Sequence, residues 1–246
     1  MRSEKLALVR ELPLFAAMTP GGFEALVAGA YLQQFPAGTV LIEEGERPDF
    51  LHVAVEGTVE LYATGAGRHT TIGVVEPVTS FITAAAVQDE PYLMSARAMV
   101  PSRILMIPVE GLHHAIATDP AFARAIVLEL ARGFRVMVRS LKNQKLRTAV
   151  ERLANYLLVE HERQGGTGAV VLGLEKRTIA SLLGIAPENL SRAFNTLKAY
   201  GVVVDGARIA LNDPAALTAL AKPDPLIDGP VDIPAIVDAR SEVSHG

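Results

Sequence analysis

The feature that most strongly limits the fold of this chain is its longest segment with almost no glycine or proline. From Asp119 to Lys145 there is no glycine except Gly133 and no proline after Pro120. Proline is accepted in the first turn of a helix, and an aspartate just before it can cap the free amides there. The segment therefore predicts one helix of about 25 residues, about 37 Å long at 1.5 Å per residue. A helix of this length can connect two domains.

Apolar residues recur along this segment at spacings of three and four, which places them on one face of the predicted helix. They occupy alternating a and d positions of a heptad and are Val127, Leu130, Phe134, Met137 and Leu141. We predict that this stripe pairs with the same stripe of a second copy, so that the chain forms a homodimer. The stripe could instead pack on the chain's own β-domain, and the two interpretations can hold over different turns.

The opposite face of the predicted helix is basic, with Arg124, Arg132, Arg135, Arg139, Lys142 and Lys145. Residues 119–147 contain seven Lys/Arg and two Asp/Glu. Residues 1–118 contain seven Lys/Arg and thirteen Asp/Glu, and the whole chain has a net charge of −4. One basic stretch in an acidic chain indicates either a localised acidic partner or a solvated helix face.

The region before the helix is rich in short predicted strands. From about Leu32 to Ile107, apolar runs alternate with glycines and prolines, a pattern typical of a β-sandwich, barrel or roll. Examples of these runs are Thr39–Ile42, Phe50–Val55, Val59–Tyr62, Thr70–Val75 and Ile104–Ile107. A short helical segment is predicted before them, from Leu12 to Ala30.

The region after the helix contains a helix-turn-helix pattern. Residues 178–183 have apolar side chains at helical spacing, and Gly184 suits the tight turn that follows. Pro187 suits the first turn of a second helix, which is predicted to extend to about Tyr200. Two β-rich runs joined by Asp-Gly within residues 202–211 then indicate a hairpin. A helix-turn-helix followed by a tight hairpin is a winged helix.

Five polar side chains are expected to point outward near the start of this second helix: Glu188, Asn189, Ser191, Arg192 and Asn195. A recognition helix presents such side chains to base edges in the major groove of double-stranded DNA. Arginine can fork onto guanine, and a carboxylate can accept a hydrogen bond from a cytosine amino group. Arg177 and Thr178, at the start of the first helix, complete the predicted DNA contacts.

The chain is thus predicted to have an α+β fold in four segments. Residues 1–118 form a β-rich sensor domain, 119–147 the dimerisation helix and 148–222 the winged helix-turn-helix. Residues 223–246 contain four prolines and five acidic residues, a composition that predicts a flexible, extended tail.

The composition excludes several kinds of chemistry. Cysteine is absent, which rules out disulfides, a thiol nucleophile and a cysteine-ligated iron–sulfur cluster or zinc site supplied by this chain. Nowhere do 18 apolar residues run together, and the N-terminus lacks the apolar core of a secretory signal. We therefore expect a cytoplasmic protein without a membrane partner.

These features resemble the CRP/FNR family of bacterial transcription regulators, and the resemblance covers nearly all of residues 10–222. Besides the long helix and the winged helix, the matching stretches are residues 12–15, 38–53 and 55–61. The resemblance implies an N-terminal β-roll (a jelly roll) like the cyclic-nucleotide-binding domain. It also implies a homodimer joined through the long helix, and we expect a transcription activator that contacts RNA polymerase.

The recognition helix resembles that of the FNR type. Its Glu-x-x-Ser-Arg pattern stands here as Glu188, Ser191 and Arg192. This resemblance implies a palindromic DNA site with half-sites similar to TTGA.

The expected effector site departs from the cyclic-nucleotide-binding members of the family. Those members resemble one another in a Gly-Glu pair followed downstream by Arg-Ser/Thr-Ala, in which the arginine pairs with the cyclic phosphate and the glutamate with the ribose. Here Ser80–Ile82 lacks the glutamate, and Met94 stands where the phosphate arginine is expected. A buried phosphate without its cation is strongly penalised, so cAMP is not the expected effector. Arg97, three residues further on, could still pair with a cyclic phosphate if the binding geometry were shifted.

The effector is therefore unidentified, and its site is expected in the region from Ser80 to Arg97 together with the central helix. With its Asp-Glu-Pro-Tyr sequence at residues 89–92, before a predicted strand, this region resembles the nitric-oxide-responsive DNR/NNR branch, whose members are associated with haem. The candidate haem ligands are His113 and His114, near the end of the β-domain, and His52 in a predicted strand. A regulator that needs no ligand is a further alternative.

Two other classes of function are weaker interpretations. A hydrolase could use His113 or His114, but the chain has no GxSxG, HExxH, phosphate-cradling glycine loop or paired-carboxylate motif. A ligand-binding module could use its winged helix only for protein contacts. A helix that binds protein has no need for the outward polar set of Glu188, Ser191 and Arg192, and we therefore predict a DNA-binding regulator that is not an enzyme.

Overall fold

The computed structural model describes residues 2–229 of the 246-residue chain. The helices are α1 (Arg2–Glu11), α2 (Pro13–Ala16), α3 (Pro20–Ala28), α4 (Thr83–Gln88), α5 (Val109–Thr118), α6 (Pro120–Leu146), α7 (Ala149–Arg163), α8 (Lys176–Leu182), α9 (Pro187–Leu197), α10 (Pro214–Ala221) and α11 (Pro225–Asp228). The strands are β1 (Tyr31–Phe35), β2 (Val40–Ile42), β3 (Phe50–Glu56), β4 (Val59–Gly65), β5 (Arg68–Val75), β6 (Thr79–Phe81), β7 (Ser95–Ala98), β8 (Ser102–Pro108), β9 (Ala169–Val171), β10 (Val202–Asp205) and β11 (Arg208–Leu211).

The first compact unit comprises the described residues up to Gly133. Two four-stranded sheets run in the order β1-β8-β3-β6 and β2-β7-β4-β5, with antiparallel pairing throughout. Strands that are distant in sequence lie side by side in both sheets, as in a β-roll. The predicted β-domain is confirmed as this roll.

The central strand β3 explains how the roll divides its core. Side chains alternate between the two faces of a strand, so Leu51 and Val53 join the apolar cluster under the helices, whereas Ala54 joins the cluster around the second sheet. Phe15 from α2 is fully buried in the first cluster and stacks on Phe122 from α6, with ring centroids 6.0 Å apart. Aromatic packing therefore attaches the first turn of α6 to the roll.

The predicted long helix is confirmed as α6. Asp119 acts as expected from the sequence, since its Oδ1 accepts hydrogen bonds from the amides of Ala121 (3.0 Å) and Phe122 (3.1 Å). The boundary between the two compact units falls inside α6, between Gly133 and Phe134. Within residues 2–229, no helix combines the length and the apolar character that crossing a membrane requires.

The second compact unit, described from Phe134 to Gly229, contains the predicted winged helix. Helix α7 starts with a reciprocal capping box between Thr148 and Glu151. Its apolar face, with Leu153 and Leu157, packs in one core with the buried side chains of α8, α9 and the sheet β10-β11-β9. Helix α9 ends at Leu197, and a single 3₁₀ turn continues it to Tyr200.

The acidic C-terminal segment is only partly described, and its first residues differ from the predicted extended tail. Residues 225–228 form the helical turn α11, in which the Asp224 Oδ1 accepts from the amide of Leu226 at 2.8 Å. The Asp228 carboxylate is held by the Arg147 guanidinium. Local capping and this ion pair, which composition does not reveal, order the segment. The rest of the predicted tail, residues 230–246, lies outside the described residues.

Candidate nucleic-acid interface and effector region

The turn between α8 and α9 is built by two residues with special backbone requirements. Gly184 has φ +60°, a left-handed conformation that glycine adopts without a steric penalty. Pro187 opens α9, where its missing N–H leaves no hydrogen bond unmade. The inward side of α9 carries Leu190, Phe194 and Leu197, which pack into the core of this unit. The opposite side of α9 is thereby turned to the surface.

The five polar residues predicted on α9 all lie exposed on this outer side: Glu188, Asn189, Ser191, Arg192 and Asn195. The Arg192 Nη1 lies 3.4 Å from the Asn189 Oδ1, a weak contact that leaves the guanidinium donors accessible. At the start of α8, Arg177 is exposed and Thr178 is half-buried. The helix thus brings together acceptors and donors suited to base edges.

A cavity of about 350 Å³ adjoins α9, and three of its nine lining residues are cationic. Its wall includes the predicted residues Arg177, Ser191 and Asn195. It also includes Lys176 and Lys198, which are not among the predicted DNA contacts. The Lys176 ammonium lies 5.7 Å from the centre of the buried Phe194 ring. The basic pair at the start of α8 is a sequence signal that could have indicated Lys176. Cations beside a recognition helix are suited to backbone phosphates, which position a protein on DNA.

Arg152 from α7 holds the helix-turn-helix turn in place. Its Nε donates to the Leu183 carbonyl at 2.7 Å and its Nη2 to the Gly184 carbonyl at 3.1 Å. Its Nη1 donates to the Arg147 carbonyl at 2.7 Å, just after α6. Burial lowers the pKa of Arg152, but an arginine remains charged at neutral pH. One side chain therefore links the end of α6 to the turn that precedes α9.

The apolar stripe of α6 is divided between the core and the surface. Leu130 is partly buried and packs against the core of the β-roll unit. The other predicted dimerisation residues have large exposed fractions: Val127 64%, Phe134 69%, Met137 58% and Leu141 56%. Large apolar side chains in such a row usually mark a surface that another molecule covers.

The expected effector region, Ser80 to Arg97, spans β6, α4 and β7. Ile82 precedes α4 with φ 53° and ψ 32°, a left-handed conformation that is unusual for a β-branched side chain. Met94 is half-buried. The Ser80 Oγ lies 3.4 Å from the Glu129 Oε1 of α6, so the region touches the central helix within the first unit.

Arg97 from β7 has an internal partner. Its Nη2 lies 2.6 Å from the Oε2 of Glu60, a carboxylate that is only 5% exposed. The other oxygen, Oε1, accepts from the Thr71 hydroxyl at 2.7 Å and lies 3.1 Å from the His69 Nε2. Burial alone would raise the pKa of Glu60, but these hydrogen bonds outweigh burial and lower it. The charge of Arg97 is thus neutralised within the chain.

The three candidate haem ligands have separate environments. His52 is buried between Phe50 and Phe81, with ring centroids 6.3 and 5.5 Å away, and burial lowers its pKa to about 4. The His113 Nε2 lies 2.9 Å from the Ala86 carbonyl oxygen. A haem iron is ligated through a ring nitrogen. In His113 the carbonyl contact occupies Nε2, and His114 lies exposed at the surface.

Comparison with known proteins identifies both units. The family model of the cyclic nucleotide-binding domain matches residues 32–119, and that of the Crp-like helix-turn-helix domain matches residues 151–220. Together they match more than half of the chain. The chain belongs to the CRP/FNR family of transcription regulators, whose members are regulators rather than enzymes.

Individual relatives are also transcription regulators, but their names indicate different signals or roles. The CRP-like cAMP-activated global transcriptional regulator of Mycobacterium tuberculosis is 24% identical over 85% of this chain and 96% of its own length. The transcriptional activator protein Anr of Pseudomonas aeruginosa is 24% identical over 75% of this chain and 78% of its own length. Among solved structures, a candidate cyclic nucleotide binding protein from Ruegeria pomeroyi DSS-3 has 31% sequence identity to this chain. The match covers 91% of this chain and 100% of that protein, with a TM-score of 0.58.

Proposed function

We propose that this chain is a homodimeric transcription activator that binds a palindromic DNA site with TTGA-type half-sites. The observation that carries the proposal is the exposed set of Glu188, Ser191 and Arg192 on the outer side of α9. These residues match the Glu-x-x-Ser-Arg pattern of FNR-type recognition helices. The relative Anr, named a transcriptional activator, supports the direction of regulation.

Each side chain has a distinct role at the proposed interface. Arg192 donates in a fork to the O6 and N7 of a guanine, and Glu188 accepts from a cytosine amino group. Ser191 adds a hydroxyl that can donate or accept beside them. Lys176 and Arg177, next to the cavity under α9, contact backbone phosphates and carry no base preference.

The exposed stripe on α6 supports the dimer. Two copies of α6 packed through Phe134, Met137 and Leu141 would remove these side chains from water, which is the main driving force for association. A dimer places two recognition helices on successive turns of the major groove, and this symmetry requires a palindromic site. RNA polymerase is the proposed partner of the DNA-bound dimer.

The β-roll is proposed to bind an effector other than cAMP. Two observations support this. Met94 supplies no charge for a cyclic phosphate, and Arg97 is already paired with the buried carboxylate of Glu60. The contact between Ser80 and Glu129 gives the effector region a route to α6, whose packing in the dimer sets the spacing of the recognition helices.

The decisive variant is Arg192→Ala. The wild-type protein should prefer a TTGA-type palindrome over a scrambled duplex in a band-shift competition at fixed salt, and Arg192→Ala should lose most of this preference. Arg47→Ala, which removes an exposed arginine from the β-roll, is the matched control and should retain it. Full discrimination by Arg192→Ala would refute the proposed recognition.

A further inference from the structure

The segment that follows α10 folds back onto the end of α6. Residues 222–229 lie beyond the part of the chain that matches the helix-turn-helix family model, which ends at residue 220. They belong to the same compact unit as the winged helix and the C-terminal half of α6. Their contacts therefore lie outside the segment that matches the helix-turn-helix family model.

One ion pair dominates these contacts. The Arg147 guanidinium binds the Asp228 carboxylate in a fork, with Nη1–Oδ1 at 2.6 Å and Nη2–Oδ2 at 2.5 Å. The two side chains are only 7% and 16% exposed. Asp228 raises the pKa of Arg147, and Arg147 lowers the pKa of Asp228 against the opposing effect of burial. A two-point contact shielded from water is screened by salt less than a surface pair.

Further contacts extend the same attachment along the basic face of α6. The Arg139 Nη1 donates to the Gly229 carbonyl at 2.9 Å, and the Lys142 Nζ lies 3.9 Å from the Asp224 Oδ2. The Asp228 Oδ2 also accepts from the Asp224 amide at 2.8 Å, which closes the turn of α11. Part of the basic face of α6 is thus covered by a segment of the same chain.

The attachment point is also the residue that connects α6 to the DNA-binding turn. The Arg147 side chain holds Asp228, while its carbonyl accepts from Arg152. Arg152 in turn donates to Leu183 and Gly184, at the turn before α9. A continuous series of hydrogen bonds therefore runs from the C-terminal segment to the base of the recognition helix.

We propose that residues 222–229 are a strap that fixes the junction between α6 and α7, with Arg147 and Asp228 as its positioning residues. The strap holds α9 at one angle to the C-terminal half of α6 before DNA is bound. An interface ordered in advance loses less conformational entropy on binding and so binds more tightly. This effect on DNA affinity rests on the proposed DNA-binding function.

The test compares Asp228→Asn, which keeps the shape and removes the charge, with Glu162→Gln, which makes the same change at an exposed site on α7. Asp228→Asn should bind the TTGA-type palindrome about fivefold more weakly at fixed salt, and Asp228→Glu should recover most of the affinity. Without DNA, hydrogen exchange should show faster exchange of the amides of residues 147–152 in Asp228→Asn only.

Each outcome is decisive. Unchanged exchange at residues 147–152 would overturn the strap, and faster exchange with unchanged affinity would overturn its positioning role. Tighter DNA binding by Asp228→Asn would also contradict the proposal, because it would make the strap inhibitory. If the wild-type protein showed no preference for the palindrome, the proposed function would fail, and the exchange comparison without DNA would still report on the strap itself.

Discussion

Glu60 in the β-roll and Glu188 on α9 are carboxylates in opposite environments. Glu60 is 5% exposed and has three partners, Arg97, Thr71 and His69, from its own sheet. Glu188 is exposed on α9, beside other polar side chains that face outward. A polar group whose partners lie within the chain serves stability, whereas polar groups gathered on an exposed helix face are available to another molecule.

The same contrast applies to apolar residues of α6. Phe122 is fully buried and stacks on Phe15, whereas Phe134, twelve residues later in the same helix, is 69% exposed. The first residue belongs to the core of the β-roll, and the second needs a covering partner. The following predictions test whether exposure separates binding residues from structural residues.

The largest expected effect is on dimerisation. Phe134→Glu places a charge in the proposed α6 interface, and burying it without a partner should weaken the dimer at least about 100-fold. Sedimentation velocity over a range of concentrations measures this. Leu93→Glu, at a site in the β-roll that is 83% exposed, is the matched control and should leave the assembly unchanged. Equal behaviour of both variants would show that the α6 stripe is not the interface.

A matched pair of isosteric substitutions compares the two carboxylates directly. Glu60→Gln should destabilise the protein by about 2 kcal/mol, because the buried carboxylate that accepts from Arg97 loses its charge. Glu188→Gln should change stability by less than about 0.5 kcal/mol, as exposed substitutions usually do. Urea unfolding measures stability, and DNA titration measures affinity.

For discrimination between DNA sequences, Glu188→Gln should have the larger effect and Glu60→Gln the smaller one. Glu188→Gln should weaken discrimination at one base position by about tenfold, whereas Glu60→Gln should leave it intact while the protein is folded. A loss of discrimination in Glu60→Gln at full folding would contradict the division between structural and recognition carboxylates.

The pH dependence of stability tests the same network. The pKa of Glu60 is lower in the folded protein than its usual value of 4.5, so the unfolded chain binds more protons as the solution is acidified. The stabilisation from Glu60 is complete above pH 4.5 and is lost as the pH falls through the lower, folded pKa. Unfolding curves of the wild type should therefore lose more stability below pH 4.5 than those of Glu60→Gln. Parallel losses in both proteins would mean that Glu60 is not the responsible group.

The smallest expected effect concerns the phosphate contacts. Lys176→Ala should weaken binding to specific and scrambled DNA by the same factor, about threefold, because phosphates carry no sequence information. The slope of log affinity against log salt should fall in magnitude by about 0.9 for each lost contact. A change in sequence preference would instead place Lys176 at base edges.

Local signals made much of the fold predictable. Gly184, Pro187 and the Asp-Gly hairpin each demand a particular backbone geometry, so the winged helix could be read from sequence. Glycine and proline likewise delimited β3, β4 and β5, which the structure confirms within a few residues. The strand β7 has a weak local signal, because its Ser-Ala-Arg-Ala sequence has little strand propensity and is ordered by pairing with β2 and β4.

Two ion pairs, Glu60 with Arg97 and Arg147 with Asp228, could not be predicted from the sequence because each joins distant segments. Glu60 lies opposite Arg97 in the register of β4 and β7, and a pattern along one segment does not report such a register. The pairing of Arg147 with Asp228 joins residues 81 positions apart. The exposure of the polar residues of α9 was predictable because they share one helix, whereas these partners meet only in the folded chain.

The central claim is that Arg192 reads a guanine in each TTGA-type half-site. It is tested most directly by a mutant cycle that combines wild type and Arg192→Ala with the palindrome and a duplex in which that guanine is replaced by adenine. The base change should weaken wild-type binding by about tenfold or more and should leave the binding of Arg192→Ala almost unaffected. An equal loss for both proteins would show that Arg192 does not contact that base and would contradict the proposed recognition.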